Sequence, residues 1–262
     1  MTPAAASPLA QMTSGVRFEC GLPGASVLAD RAGALVVIDV LSFTTAVTIA
    51  VDRGSAVYPH RWPDPGVDAF AAAHDAVRAA RRREITADHP WSLSPTHLLA
   101  GPPAARLVLP SPNGSTIAAA VTVGTVVAGS LRNAAAVAHW LTSNHFGTPA
   151  RPIAVIAAGE KWPAGELRPA LEDLLGAGAI IEALNLAPAL SPEAAAAAAA
   201  WQAQRHDIAE VLHRCSSGQQ LAGAGYRSVV TVAAQHNAQD TVPVLVDGAF
   251  RSRSATAERP RQ

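Results

Sequence analysis

The chain has 262 residues, a formal net charge of zero, and 49% hydrophobic against 15% charged residues. This apolar content is enough for a buried core and excludes an intrinsically disordered chain. Because 20 basic residues are balanced by 20 acidic ones, there is no basic field to hold a phosphate backbone, and we expect no nucleic acid partner. Cys20 and Cys215 form no CxxC pair, which argues against a zinc ribbon or disulfide framework and favours a reducing compartment.

The sequence also lacks the patterns of membrane and exported proteins. Its longest apolar run, residues 35–51, contains Asp39 and several hydroxyl residues, so it makes a poor membrane span. The first fifteen residues have neither a basic start nor a continuous apolar stretch, and they do not predict a secretory signal. We therefore expect a cytoplasmic protein with no membrane partner.

Apolar runs alternate with helical patterns over residues 15–250, between a predicted flexible arm (1–14) and a predicted flexible tail (251–262). The runs predict strands at 35–38, 56–58, 106–109, 125–128, 153–156 and 242–246. The longer patterns predict helices that include 44–52, 67–82, 131–141, 168–184 and 192–214. Strands made of continuous β-branched runs must be covered on both faces. The alternation therefore predicts one three-layer α/β/α domain with a mostly parallel or mixed sheet.

In an open α/β sheet, ligands bind where the strands end, so the residues that follow each strand form the candidate site. Asp39 directly follows the strand at 35–38. A carboxylate in so apolar a run is costly to bury without a partner, which favours a functional role for it. Thr44 and Thr45 begin the next helix, where hydroxyls and free amides either cap the helix or bind an anion.

Two later strand ends carry anion-binding candidates. The turn Asn113-Gly114-Ser115 leads into a helix and can offer several amides to a phosphate, or it is an ordinary Asn-Gly turn capped by Asn113. Arg132 stands in a first helical turn, where its charge opposes the helix dipole, and this slightly favours anion binding.

Carboxylates follow the strand at 153–156. Glu172 and Asp173 stand near a helix start, where they either match the helix dipole or bind magnesium, and the pattern does not decide between these readings. Glu160 lies in the preceding loop. The sequence has no P-loop, no complete GxGxxG and no HExxH pattern, so a P-loop nucleotide site and a zinc hydrolase are not expected.

Five segments stand in order along the chain, and together they resemble one known family. They are Asp39-Val40-Leu41-Ser42-Phe43-Thr44-Thr45, Ser111-Pro112-Asn113-Gly114-Ser115, Gly129-Ser130-Leu131-Arg132-Asn133-Ala134, Ala158-Gly159 followed by Glu172-Asp173 and Gly176-Ala177-Gly178, and Ser216-Ser217-Gly218-Gln219-Gln220-Leu221 followed by Val242-Pro243-Val244. In this order they resemble the 2-phosphosulfolactate phosphatase family, over about residues 16–250.

The resemblance implies a magnesium-dependent phosphomonoesterase of coenzyme M biosynthesis. Its members convert (R)-2-phospho-3-sulfolactate and water to 3-sulfolactate and phosphate, and they form homodimers. By this resemblance, Asp39 and one or both of Glu172 and Asp173 are expected to hold Mg²⁺, and Glu160 or Glu84 is expected to act as the general base. The expected substrate-binding residues are Thr44, Thr45, Asn113, Gly114, Ser115, Arg132 and Asn133.

Two departures from the family pattern leave alternatives open. Typical members carry Arg where this chain has Ser42, and their Gly-Glu-Arg and Gly-Asn-Ser-Pro elements are replaced by residues 81–84 and 91–95. One alternative is a phosphate-ester-binding homologue without catalysis. The other is a phosphatase for a different small phosphorylated hydroxy acid or sugar.

Overall fold

The computed structural model describes residues 8–121 and 124–253. The strands are β1 Val16–Cys20, β2 Ala34–Ile38, β3 Ala56–Arg61, β4 Val77–Arg78, β5 Arg106–Ser111, β6 Thr125–Gly129, β7 Ile153–Ala157, β8 Glu160–Lys161, β9 Leu167–Arg168, β10 Val242–Val246 and β11 Ala249–Arg253. The α-helices are α1 Gly21–Ala29, α2 Phe43–Asp52, α3 Val67–Ala73, α4 Pro95–Ala100, α5 Gly114–Ala120, α6 Ala134–Ser143, α7 Leu171–Leu184, α8 Pro192–Gln204, α9 Ile208–Arg214, α10 Ser216–Gly223 and α11 Arg227–Ala233.

A mixed sheet runs through the molecule in the strand order β1-β7-β2-β6-β10-β11-β3-β5-β4. The strands β1, β7, β2 and β6 are parallel to one another, and so are β3, β5 and β4. The antiparallel hairpin β10–β11 joins these two parallel groups. The short strands β8 and β9 form a separate ribbon.

Both faces of the sheet are covered by helices. In β2, Val36 and Ile38 pack into a core cluster that also contains residues of α6, α7 and α8. The alternate residues Leu35 and Val37 pack into a second cluster with residues of α1, α2 and α5. Since successive side chains of a strand point to opposite faces, these two clusters lie on the two sides of one sheet. The prediction of a three-layer α/β fold with a mixed sheet is confirmed.

The sheet curls strongly enough to bring the ends of distant strands together. Four strands separate β2 from β5, and a flat sheet would place β2 and β5 roughly 24 Å apart. Yet the backbone N–H of Gly114, after β5, donates to the carboxylate of Asp39, after β2, at 2.8 Å. A twist of about 20–25° per strand accumulates across the sheet. Helix α2 lies inside the resulting curve, where it contacts β3, β6, β10 and β11.

Four predicted helices differ from the structure. The one over 168–184 begins at Leu171, since Arg168 belongs to β9, and the one over 131–141 begins as a 3₁₀ turn, Leu131–Asn133, before α6. The helix predicted over 67–82 ends at Ala73, and Asp75 adopts a positive φ of 47° that helices do not allow. Val77 and Arg78 then pair with β5 as strand β4, so sheet pairing outweighs the helix propensity of this alanine-rich segment. The helix predicted over 192–214 is divided by a 3₁₀ turn, Arg205–Asp207, between α8 and α9.

The described parts of the predicted arm and tail are attached to the sheet. Gln11 exchanges hydrogen bonds with the backbone of Phe18, at 2.9 and 3.1 Å, and so satisfies polar groups of the edge strand β1. Residues 251–253, predicted as tail, belong to β11. The rest of both predicted segments, 1–7 and 254–262, lies outside the described residues. Among the helices of the described ranges, none has the length and apolar character needed to cross a bilayer.

Candidate active site

Asp39 directly follows β2 and lies at the centre of a group of buried carboxyl groups. Its Oδ1 accepts a hydrogen bond from the backbone N–H of Phe43 at 3.1 Å. Its Oδ2 accepts from the N–H of Gly114 at 2.8 Å and from the hydroxyl of Ser111 at 3.4 Å. Burial raises the pKa of Asp39, and the charge of Glu172 raises it further, while these hydrogen bonds oppose the rise. The carboxylate is therefore fixed in position at an electrostatic cost.

Asp173, in the first turn of α7, connects two strand ends. Its Oδ1 accepts from the N–H of Val40 and its Oδ2 from the N–H of Gly159, both at 2.8 Å. These bonds join the loop after β2 to the loop after β7. Burial, followed by the charges of Glu172 and Asp39, raises the pKa of Asp173 well above its usual value.

Glu172 lies beside these two carboxyl groups and is only 2% exposed. The thiol of Cys215 donates to its Oε2 at 3.5 Å. Burial and the charge of Glu172 raise the pKa of Cys215 to about 11. The thiol therefore keeps its proton near neutral pH and acts as a donor to Glu172.

Glu160 begins the β8–β9 ribbon and faces the turn after β5. The side-chain amide of Asn113 donates to its Oε2 at 2.9 Å. Burial and the charge of Asp39 raise the pKa of Glu160 to about 7, although the Asn113 hydrogen bond opposes the rise. A carboxyl group with a pKa near 7 can both take up and release a proton at neutral pH, which suits general acid–base chemistry.

The chemistry of this carboxyl group cluster fits a hard divalent cation. The charge of Glu172 raises the pKa of Asp39, Glu160 and Asp173, and the charge of Asp39 raises the pKa of Glu160 and Asp173, so a cation bound among these groups would relieve their mutual repulsion. Within residues 8–121 and 124–253, no three His, Cys, Asp or Glu side chains form a ready-made metal cage. Mg²⁺ needs no such cage, because it binds through one or two carboxylates, retained water and substrate phosphate.

The three predicted hydroxyl ligands instead donate hydrogen bonds to backbone carbonyls of the protein. Thr44 Oγ1 donates to the carbonyl of Asp39 at 2.9 Å, and Thr45 Oγ1 donates to the carbonyl of Val40 at 2.8 Å. The hydroxyl of Ser115 donates to the carbonyls of Ser111 and His60. These three side chains are fully buried. They shape the loops around Asp39 and do not face an open site, whereas Asn113 and Gly114 contact the carboxyl groups directly.

Arg132 and Asn133 lie elsewhere in the structure. The guanidinium of Arg132 donates to Gln239, to the carbonyl of Val232 and to Gln235. Asn133 closes a capping box with Ser130 and donates to the carbonyls of Ala128 and Thr241. Both side chains hold the segment that leads into β10, and the structure does not bring them to the carboxyl groups.

The structure adds Arg82, which sequence reasoning did not assign to the site. Its Nη2 donates to the hydroxyl of Ser42 at 2.8 Å. Its charge interacts with Asp39 and Glu160. The run of three arginines at 81–83 could have indicated this residue, but the helix predicted over 67–82 placed the run at a helix end.

Glu84, the other candidate base, is exposed and paired with Arg81 at 3.6 Å.

The chain is similar to known proteins over most of its length. The family model described as 2-phosphosulpholactate phosphatase matches residues 23–248. A protein of Deinococcus radiodurans named probable 2-phosphosulfolactate phosphatase is 30% identical over 218 residues, which are 81% of this chain and 87% of that protein. The matched range contains the whole carboxyl group cluster, from Asp39 to Asp173.

Proposed function

The chain belongs to the 2-phosphosulfolactate phosphatase family and is a phosphatase, and from this premise we propose that it hydrolyses (R)-2-phospho-3-sulfolactate to 3-sulfolactate and phosphate with Mg²⁺. The observation that carries the proposal is the group formed by the buried Asp39, Glu172 and Asp173 and the half-buried Glu160, which lie after β2 and β7. Such a group supplies hard oxygen ligands and a proton acceptor in one place.

Asp39 and Glu172 are the proposed ligands of Mg²⁺. When bound, the ion neutralises phosphoryl charge and lowers the pKa of a coordinated water. Asp173 belongs to the same proposed metal set, and it also has a positioning role, because its two oxygens accept the backbone N–H groups of Val40 and Gly159. Through these bonds it sets the distance between the Asp39 loop and the Glu160 loop.

Glu160 is the proposed general base. In hydrolysis, the oxygen of water forms a bond to phosphorus, the bond from phosphorus to the ester oxygen breaks, and the water proton passes to Glu160 Oε1. Its Oε2 is held by Asn113, so the amide orients the carboxyl group. The departing ester oxygen takes up a proton from solvent, which regenerates the hydroxyl group of sulfolactate, and Glu160 returns its proton to solvent.

Ser42 supports a second candidate, a phosphatase for a different small phosphorylated hydroxy acid. Where the family pattern has Arg, Ser42 carries no charge, so the contacts to the organic part of the ester differ. The non-catalytic homologue is the remaining alternative.

We also propose that the protein is a cytoplasmic homodimer. Light scattering coupled to gel filtration would test the oligomeric state.

Phosphate release tests the proposal most simply. The purified protein is assayed on 2-phosphosulfolactate, phospholactate, 2-phosphoglycerate and a sugar phosphate, each with Mg²⁺ and with EDTA. We expect turnover that EDTA abolishes and that is fastest on 2-phosphosulfolactate. Faster turnover of another ester would favour the second candidate. Thermal stabilisation by the esters without phosphate release would favour the non-catalytic one.

A further inference from the structure

Arg82 occupies the boundary between the carboxyl group cluster and the neighbouring cleft. One of its nitrogens donates to Ser42 Oγ at 2.8 Å, and its guanidinium lies 5.4 Å from the ring centre of Tyr226. Its Nε is buried and has no hydrogen-bond partner among the described residues. A buried N–H without an acceptor is costly unless a ligand supplies the missing acceptor.

The cleft beside Arg82 is lined by basic side chains. It has a volume of about 530 Å³, and its lining includes Arg78, Arg81, Arg82 and Arg83, with Glu84 as the acidic residue among them. Arg78 is paired with Asp68 outside this lining, at 2.7 Å. Arg81 is paired with Glu84 at 3.6 Å, so the unneutralised positive charge of the described lining comes from Arg82 and Arg83. This charge lies beside the negative charge around Asp39, and the size of the cleft leaves room for a small organic molecule.

We propose that Arg82 is a specificity-determining residue that binds the second anionic group of the substrate, a carboxylate or sulfonate next to the esterified carbon. The inference rests on the proposed function and deepens it. The phosphoryl group lies on the Asp39 side, and the organic part of the ester extends into the basic cleft. Arg82 is anchored by Ser42 and Tyr226, so its remaining donors are already oriented before the substrate arrives.

This arrangement selects by charge. An ester with an anionic organic part gains charge-assisted hydrogen bonds to Arg82. An ester with a neutral organic part leaves the guanidinium without an acceptor and loses that contribution. Arg82 is thus expected to discriminate between phosphate esters by the charge of their organic part.

The test compares three esters of the same secondary-alcohol type: isopropyl phosphate, phospholactate and 2-phosphosulfolactate. For Arg82→Gln we expect kcat/KM on 2-phosphosulfolactate to fall by about 100-fold, with a smaller loss on phospholactate and the smallest loss on isopropyl phosphate. Arg82→Lys keeps the charge but not the planar donor fork, and should recover part of the loss. Arg214→Gln, which removes an exposed arginine paired with Glu210, is the matched control.

An equal loss on all three esters, or no loss on any, would overturn the proposal. Calorimetric binding of 3-sulfolactate, which has no phosphoryl group, separates this proposal from the proposed function. We expect Arg82→Gln to weaken that binding by about 100-fold. If no ester is hydrolysed but this difference holds, the proposed function fails and the role of Arg82 stands. If the wild type and Arg82→Gln bind 3-sulfolactate equally, the proposed role of Arg82 is wrong, whether or not the esters are hydrolysed.

Discussion

Glu160 shows how burial and neighbouring charge prepare a side chain for proton transfer. Its pKa rises from 4.5 to about 7, mainly because the group is buried and then because Asp39 is near. Arg168 acts in the opposite direction, as does the amide of Asn113. The folded protein therefore holds a proton on this residue at pH values where the unfolded chain has lost it.

This shift predicts a pH-dependent loss of stability. Between pH 4.5 and 7 the folded state binds more protons at Glu160 than the unfolded state, so the free energy of unfolding falls as pH rises through this window. A shift from 4.5 to about 7 corresponds to up to about 3 kcal/mol, at about 1.4 kcal/mol per pKa unit. Glu160→Gln has no proton to lose at this position, so its free energy of unfolding should not fall in this way. In EDTA, the variant should therefore gain stability relative to the wild type as the pH is raised from 5 to 8.

Urea denaturation of the variant and of the wild type at pH 5 and at pH 8 measures the difference between their free energies of unfolding. Glu210→Gln, which removes an exposed carboxylate paired with Arg214, is the control and should show no such gain. If Glu160→Gln and the wild type lose stability in parallel from pH 5 to 8, then the pKa of Glu160 is not raised.

Single residues differ in how far their sequence context indicates their role. A carboxylate inside the apolar run 35–51 predicts a functional role for Asp39. The structure places Asp39, buried, beside other carboxyl groups, and its role stays a prediction. Arg132 was proposed as an anion ligand because its charge opposes the helix dipole. In the structure, acceptors at 232–239 satisfy its guanidinium, and these contacts across 100 residues and more are invisible locally.

At the scale of elements, the turn between β5 and α5 fixes the position of Asp39. A Cβ atom on Gly114 would lie 2.7 Å from both Cβ and Oδ2 of Asp39 and 2.7 Å from the ring of Phe43. Only a glycine lets the backbone approach closely enough for the 2.8 Å hydrogen bond from its N–H.

Gly114→Ala should therefore displace Asp39 and lower the free energy of unfolding by about 1–3 kcal/mol, as overpacking does. It should also lower the affinity for Mg²⁺, which titration calorimetry would measure. The control is Gly223→Ala at the end of α10, where an added Cβ meets nothing within 4 Å. That variant should be neutral or slightly more stable. Equal stability and equal Mg²⁺ affinity of the two variants would argue against the close approach at Gly114.

The elements at the core of the fold follow the sequence pattern closely, whereas the strand that the pattern fails to predict depends on pairing with a distant strand. The predicted strand at 35–38 and the predicted helix at 44–52 match β2 and α2 within a residue. The local alanines predict a helix where the structure has β4. The pairing that makes this segment a strand joins Val77 to Leu107, about thirty residues away, and is not visible in the local sequence. The same wrong helix prediction explains why Arg82, which follows β4, is not predicted as a site residue.

At the scale of the whole molecule, the site exists because the sheet curls. The group of parallel strands that contains β2 and β7 and the group that contains β5 are joined through the hairpin β10–β11. The accumulated twist then brings the turn after β5 against Asp39. Periodicity predicts strands but not their order, so the meeting of Gly114 and Asp39 could not be predicted from the sequence pattern alone.

The central claim is that Asp39 supports metal-dependent phosphate release. The most direct measurement is the rate of phosphate release from 2-phosphosulfolactate as a function of Mg²⁺ for the wild type, Asp39→Asn and Asp247→Asn. Asp247 is exposed in the β10–β11 turn at a φ of 51°, which asparagine also adopts, so this control should behave as the wild type. We expect Asp39→Asn to remain folded by circular dichroism and to lose about 1000-fold or more in rate at every Mg²⁺ concentration. Full activity in folded Asp39→Asn would contradict the account.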